Sequence, residues 1–183
     1  MAAGLAEMLR YNRWANLALL EACRGLTDEQ LDAHMPGVAA PVRELLQHIV
    51  GGQQTFVLRT KGRQHEGEIN RGSAWMGFDE LIAIATQTSD ELVAIAESVD
   101  EDASVDLPFQ GRSFRFPVRF FLVHAVAHGA EHRTEVKVAL AQQGSKRRTS
   151  TPGSTHRRCA MAWRPSRTPE VAFRPFGASH RTL

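Results

Sequence analysis

Cysteine is nearly absent from this chain. Cys23 and Cys159, the two present in 183 residues, support neither a disulfide framework nor a CxxC motif. A reduced, cytoplasmic setting is the default expectation. Long apolar runs are missing as well. No stretch of about 18 consecutive apolar residues exists, so no membrane span is expected. No basic region precedes an apolar one at the start, so no signal peptide is expected either. Basic charge is scarce over most of the length. Residues 1–143 hold 13 Lys and Arg against 19 Asp and Glu, a net of −6, while residues 144–183 hold 9 against 1, a net of +8. An acidic body argues against a nucleic-acid surface on the folded part. The length suits one domain with a sizeable core. No internal repeat is visible.

What is present is helical periodicity. Residues 4–26 carry the stripe Leu5, Met8, Asn12, Ala15, Leu19, Ala22 and Leu26 at 3,4 spacing. Asn12 interrupts it, so either Asn12 is a buried polar group with a partner or the helix is rotated slightly from this stripe. Thr27 can cap a short turn of helix before Pro36 and Gly37 break the chain. Pro41 opens a second helix to about Arg59, with Leu45, His48, Ile49, Gly52 and Phe56 on one face. Gly51 and Gly52 are poor helix formers, and in mid-helix they suggest close approach of another helix. Residues 60–76 read as a polar loop containing His65. Residues 77–99 form a third helix, with Asp79 and Glu80 where the helix dipole favours them. Val105, Leu107 and Phe109, then Gly111, then Phe114 and Phe116, suggest a small hairpin.

The most informative stretch is FPVRFFLVHAVAHGAEHRTEVKVALAQQG, residues 116–144. His124, His128 and His132 recur every four residues and share one helix face with Phe121, Glu135 and Ala139. Apolar flanks at Phe120, Val123, Ala127 and Val138 suggest that the stripe points inward. Pro117 suits the first turn and Gly144 the C-terminal end. One metal ion cannot use all three of these histidines, because His124 and His132 are roughly 12 Å apart along the axis. An i, i+4 pair is a natural bidentate unit, and a third ligand must come from elsewhere in the chain. The fold class expected is all-α, a four-helix bundle with long inter-helix connections.

Residues 145–183 break the pattern. They have no helical stripe, are rich in Arg, Ser, Thr and Pro, and read as a disordered basic tail. A functional tail and an out-of-frame reading of GC-rich DNA both account for this composition.

The pieces YNRWAN at 11–16, PVRELLQHIVGGQQTFVLR at 41–59 and HAVAHGAEHR at 124–133 resemble the DinB/YfiT-like family of metal-binding bundle proteins. The resemblance covers roughly residues 4–144. Its pattern is one histidine in the second helix and an H-x-x-x-H pair followed by arginine in the fourth. Carried over, it implies His48, His128 and His132 as ligands of a divalent metal, zinc or nickel, followed by Arg133. It further implies a small-molecule substrate such as a low-molecular-weight thiol, thiol S-transferase chemistry, and a homodimer. This chain departs from the family at Thr134 and Glu135, where Gly-Gln is usual. It also lacks the tryptophan-bearing segment that usually follows the fourth helix.

Other readings stand beside this one. His48 alone would pass as a core histidine satisfied by a hydrogen bond. His128 to His132 also spells H-x-x-E-H, a zinc-hydrolase motif in which Glu131 is the general base. A non-catalytic metal- or small-molecule-binding bundle fits the same residues. His124 reads as a core residue or one that orients a ligand, and Glu135 as a supporting group or part of a solvated edge. His34, His65 and Cys23 read as structural or surface residues.

Overall fold

The computed structural model of this protein describes residues 2–64, 69 and 72–150, with backbone only at 2 and 145–150. Helix α1 spans Ala2–Cys23, α2 Asp28–Asp32, α3 Val42–Thr60, α4 Phe78–Ser98 and α5 Val118–Ser150. Strands β1, Ser104–Phe109, and β2, Arg112–Pro117, form an antiparallel hairpin between α4 and α5. Among the described residues the fold is all-α apart from this ribbon. No helix among the described residues is long and apolar enough to cross a membrane.

The elements have local causes. Thr27 accepts a hydrogen bond from the Gln30 N–H at 3.3 Å, and the Gln30 side chain accepts one from the Thr27 N–H at 3.0 Å. This reciprocal cap starts α2. Asp79 and Glu80 fill the first turn of α4, where they meet the positive end of the helix dipole. The hairpin closes through Gln110 and Gly111, with φ of 50° and 73°. Two positive-φ residues make the turn whose twist matches the strands it joins.

Helix α1 packs on α4 and α5, and α3 packs on α5 and α4. The core they enclose has two apolar clusters. One holds Leu19, Leu20, Leu45, Leu46, Leu81 and Val136. The other holds Leu9, Phe56, Val57, Leu92, Phe121 and Leu122. Each leucine that reaches full burial contributes about 1.5–3 kcal/mol. The order of these residues gives the helix directions. α1 and α5 run from the second cluster to the first, and α3 and α4 run the other way. Because α3 and α4 are parallel, the chain between them must return the length of the bundle. Ile69, in that connection, lies against Gly51 in the middle of α3, and the Gln47 side chain donates to the Ser73 carbonyl at 3.0 Å. A Cβ at Gly51 would collide with the Ile69 carbonyl.

Three expectations shift. The buried face of α1 is Ala6, Leu9, Asn12, Asn16, Leu19, Leu20 and Cys23, about one residue round from the stripe of Leu5, Met8 and Ala15. Asn12 has a buried partner as well, so both explanations offered for it hold. Pro117 ends β2 instead of sitting inside α5, and α5 passes through Gly144 to Ser150. A glycine stops a helix only where it takes up positive φ, and Gly144 is not among the positive-φ glycines. Lys146, Arg147 and Arg148 are helix formers suited to a C-terminal turn. Most of the basic segment, and His65 in the α3–α4 connection, lie outside the described residues.

Candidate metal centre

A buried polar layer separates the two apolar clusters. Each long helix contributes to it at the same level: Asn12 and Asn16 from α1, Gln53 from α3, Ser89 from α4 and Arg133 from α5, all buried. The Arg133 guanidinium donates to Asn12 Oδ1 and to Asn16 Oδ1, both at 2.5 Å. Asn16 donates onward to Gln53 Oε1 at 3.0 Å, and Gln53 to Ser89 Oγ at 2.6 Å. Burial lowers the Arg133 pKa, but guanidinium starts so high that the side chain stays a cation. Buried charge persists only where hydrogen bonds replace water, and the two asparagines of YNRWAN supply them. Gly129 makes the approach feasible, because a Cβ there would lie 2.5 Å from Asn12 Oδ1 and 2.7 Å from the Arg133 guanidinium.

His48 on α3 and His128 and His132 on α5 meet beside this layer. One ligand nitrogen from each lies within 4.8 Å of the others. His48 and His128 are half-buried and His132 is buried. The Nε2 atoms of His48 and His128 are 3.1 Å apart. Two nitrogens of a tetrahedral zinc site, each about 2.0–2.1 Å from the ion, are separated by roughly 3.3 Å. That pair is therefore already at ligand spacing, and the three residues are positioned to bind a divalent metal. Gly52 creates the space, because a Cβ at that position would sit 2.9 Å from His128 Nδ1. The expectation of a close helix approach holds for Gly52. Gly51 instead faces the α3–α4 connection.

Glu135 fixes one of the three. Its Oε2 lies 2.6 Å from His132 Nδ1. A carboxylate there accepts the Nδ1–H and leaves the Nε2 lone pair facing the cluster, a common arrangement behind metal-binding imidazoles. Both side chains are partly screened from solvent, at 11% and 26% exposure, so the bond is not a loose surface pair.

The other candidates separate from this group. His124 is exposed, with its ring centroid 6.4 Å from that of His128, and it lies tilted against Phe56 at 4.7 Å and edge-on to Phe120 at 5.7 Å. Glu131 is exposed, and no hydrogen bond joins it to the three histidines among the described residues. Phe120, Val123 and Val138, read as inward flanks, are exposed. The buried side of α5 runs instead through Leu122, Ala125, Gly129 and Val136. His34 is exposed and Cys23 is fully buried. Burial raises the Cys23 thiol from 9.0 to about 11, which makes it an inert core residue. Sequence reasoning missed Asn16, Gln53, Ser89 and Gly129. Their signal was a polar or missing side chain at the same level of each helix, visible only once the helices are aligned.

Residues 1–159 match the sequence model of the DinB family. No curated protein matches the chain.

Proposed function

We propose that this chain, which belongs to the DinB family, is a metal-dependent enzyme that transfers a low-molecular-weight thiol to an electrophile. His48, His128 and His132 would hold the ion; imidazole donors suit zinc, nickel, copper and iron alike, and the family resemblance favours zinc or nickel. When bound, a divalent ion there lowers the pKa of a coordinated thiol and supplies it as the anion near neutral pH.

The observation that carries this reading is the composition of the pocket over the histidines. Its wall is His48, Gly52, Thr55, Phe56, His124 and His128, extended by Gly51, Arg59 and Ile69, with no carboxylate among the described residues. Three neutral imidazoles leave the full charge of the ion uncompensated, which favours an anionic partner such as a thiolate. Hydrolysis would require a positioned general base, and Glu131, the residue proposed for that role by its motif, is exposed. Phe56 shields one side of the histidine cluster, with its ring 5.5 Å from His128. Glu135 holds the His132 ring, and Gly52 leaves room for that of His128.

The test is elemental analysis followed by cobalt substitution. We expect about one divalent ion per chain, lost in His128→Ala and retained in His124→Ala. A small thiol added to the cobalt form should give an intense near-ultraviolet sulfur-to-metal band, absent in His132→Ala. Thiolate binding releases a proton, so apparent affinity should rise with pH until hydroxide competes. Full metal content in His128→Ala would sink the ligand assignment. Turnover of an ester or amide that Glu131→Gln abolishes, with no thiol perturbing the cobalt spectrum, would establish the hydrolase reading instead.

A further inference from the structure

The pocket over the histidines, about 420 Å³, is not isolated. A second concavity of about 680 Å³ lies between the hairpin and α5, walled by Leu107, Phe109, Phe114, Phe116, Phe120 and Phe121. Arg59 and His124 belong to the walls of both. Each volume is of the size that holds a small molecule.

Two observations indicate what the second concavity takes. Phe109, Phe114 and Phe120 are 61%, 41% and 48% exposed. Large aromatic side chains gathered around an open groove mark a surface that a ligand covers. The cation at the junction is also uncommitted among the described residues. Arg10, Arg13, Arg24, Arg43 and Arg115 each pair with a carboxylate. The half-buried Arg59 side chain makes no hydrogen bond or ion pair among the described residues. No carboxylate among those residues lines either concavity. A guanidinium in that position offers a planar fork that fits a carboxylate in two-point contact.

We propose that Arg59 anchors the carboxylate of the second substrate, an organic acid with an aryl or alkyl body that lies among the phenylalanines of the hairpin groove. This specifies the substrate class of the proposed function, and it rests on that reading only in taking the histidine pocket as the place of reaction. With the acid group at the junction, the atoms nearest the carboxylate face the histidines and the apolar end points away. His124, on the same boundary, can donate a second hydrogen bond to the acid. A carboxylate carried by the thiol itself has the same chemistry at Arg59, but a polar thiol leaves the phenylalanines uncovered.

The test is direct binding of 3-phenylpropionate to the full-length, metal-loaded protein, measured by calorimetry. 3-Phenylpropanol, propionate and glutathione serve as comparisons. We expect the aryl acid to bind about tenfold or more tighter than either the alcohol or propionate, since a desolvated charge-assisted contact and an apolar body each contribute on that scale. Arg59→Gln should lose that factor for the acid and leave the alcohol unchanged. Arg59→Lys should recover part of it, and Phe114→Ser should weaken acid and alcohol alike. Binding that survives Arg59→Gln but disappears in His128→Ala would overturn the proposal, because the acid would then sit on the metal. So would tight glutathione binding that depends on Arg59 with none of the aryl acid. The metal content of the same preparation is read separately. An Arg59-dependent aryl-acid site in a protein that retains no metal would refute the proposed function and leave this inference standing.

Discussion

Gly52 on α3 and His128 on α5 occupy one another's space: a methyl group on the first would lie 2.9 Å from the imidazole Nδ1 of the second. The histidine can lie against the helix because the side chain opposite it is missing. Gly52→Ala should therefore push the His128 ring away from His48 while leaving the rest of the bundle in place. We expect metal affinity to fall by at least about tenfold, the scale seen when support of a ligand is disturbed. Thermal stability should change by less than a core cavity would cause. Competition with a chromogenic chelator measures the affinity. Wild-type affinity in this variant would show that His128 does not need that space.

Gly129 plays the corresponding part for the polar layer. Gly129→Ala places a Cβ against both Asn12 and Arg133, and overpacking of this kind costs about 1–3 kcal/mol. Asn12→Ala removes one of the two acceptors of the Arg133 guanidinium and should cost a similar amount, about 1–3 kcal/mol. The two sites share partners, so the double variant should lose less than the sum. Denaturant unfolding checks all three. Strict additivity would argue against a coupled layer.

Cys23 predicts an alkaline limit. Its thiol is pushed up from 9.0 to about 11 by burial, so the folded state keeps a proton that the unfolded chain releases. Stability from this group is intact below pH 9, falls as pH rises from 9 towards 11, and at the end of that window is lower by about 3 kcal/mol. Lysine and tyrosine titration adds a background slope. The difference between wild type and Cys23→Ala isolates the thiol: the variant should be less stable at pH 7 and less sensitive between pH 9 and 11. The same burial should keep Cys23 unreactive towards iodoacetamide at pH 8 until the protein is unfolded.

The basic segment carries an independent prediction. The apolar clusters and the three histidines all lie within residues 1–150. Ending the chain after Ser150 should leave the thermal midpoint nearly unchanged and the metal content intact. A fall of several degrees would mean that the segment packs on the bundle. Resequencing the coding DNA settles the origin of the composition. An out-of-frame reading requires the alternative frame to encode a tryptophan-bearing helical segment.

The histidine spacing was legible because an i, i+4 pair encodes its own geometry, and the resemblance supplied His48, which periodicity alone left as a core residue. The bundle was legible because its apolar residues recur with helical period. The rotation of α1 was not. A hydrophobic stripe could hold Asn12 only as an interruption and gave no sign of Asn16, whereas both face inward because Arg133 needs acceptors there. The inward-facing stripe on α5 was half right. His128 and His132 turn towards α3, but Val123 and Phe120 on the same helix are exposed, since a bundle helix buries one side and α5 also borders a groove. Arg59 passed unnoticed because nothing in its neighbourhood of sequence marks a cation that lacks an anion. That property belongs to the assembled surface.

The hairpin has a consequence for how such a protein can diversify. α4 ends and α5 begins at the same end of the bundle, so a short turn would connect them. The ribbon Ser104–Pro117 is an excursion that the helices do not require for closure. Two of the phenylalanines lining the groove lie on this ribbon, Phe109 next to its tip and Phe114 two pairs further in, whereas the three histidines lie on α3 and α5. Drift or exchange at the tip could therefore redraw which apolar body is recognised while the chemistry and the Arg59 anchor on α3 stay untouched, and transplanting this ribbon between homologous bundles should carry preference for that body with it.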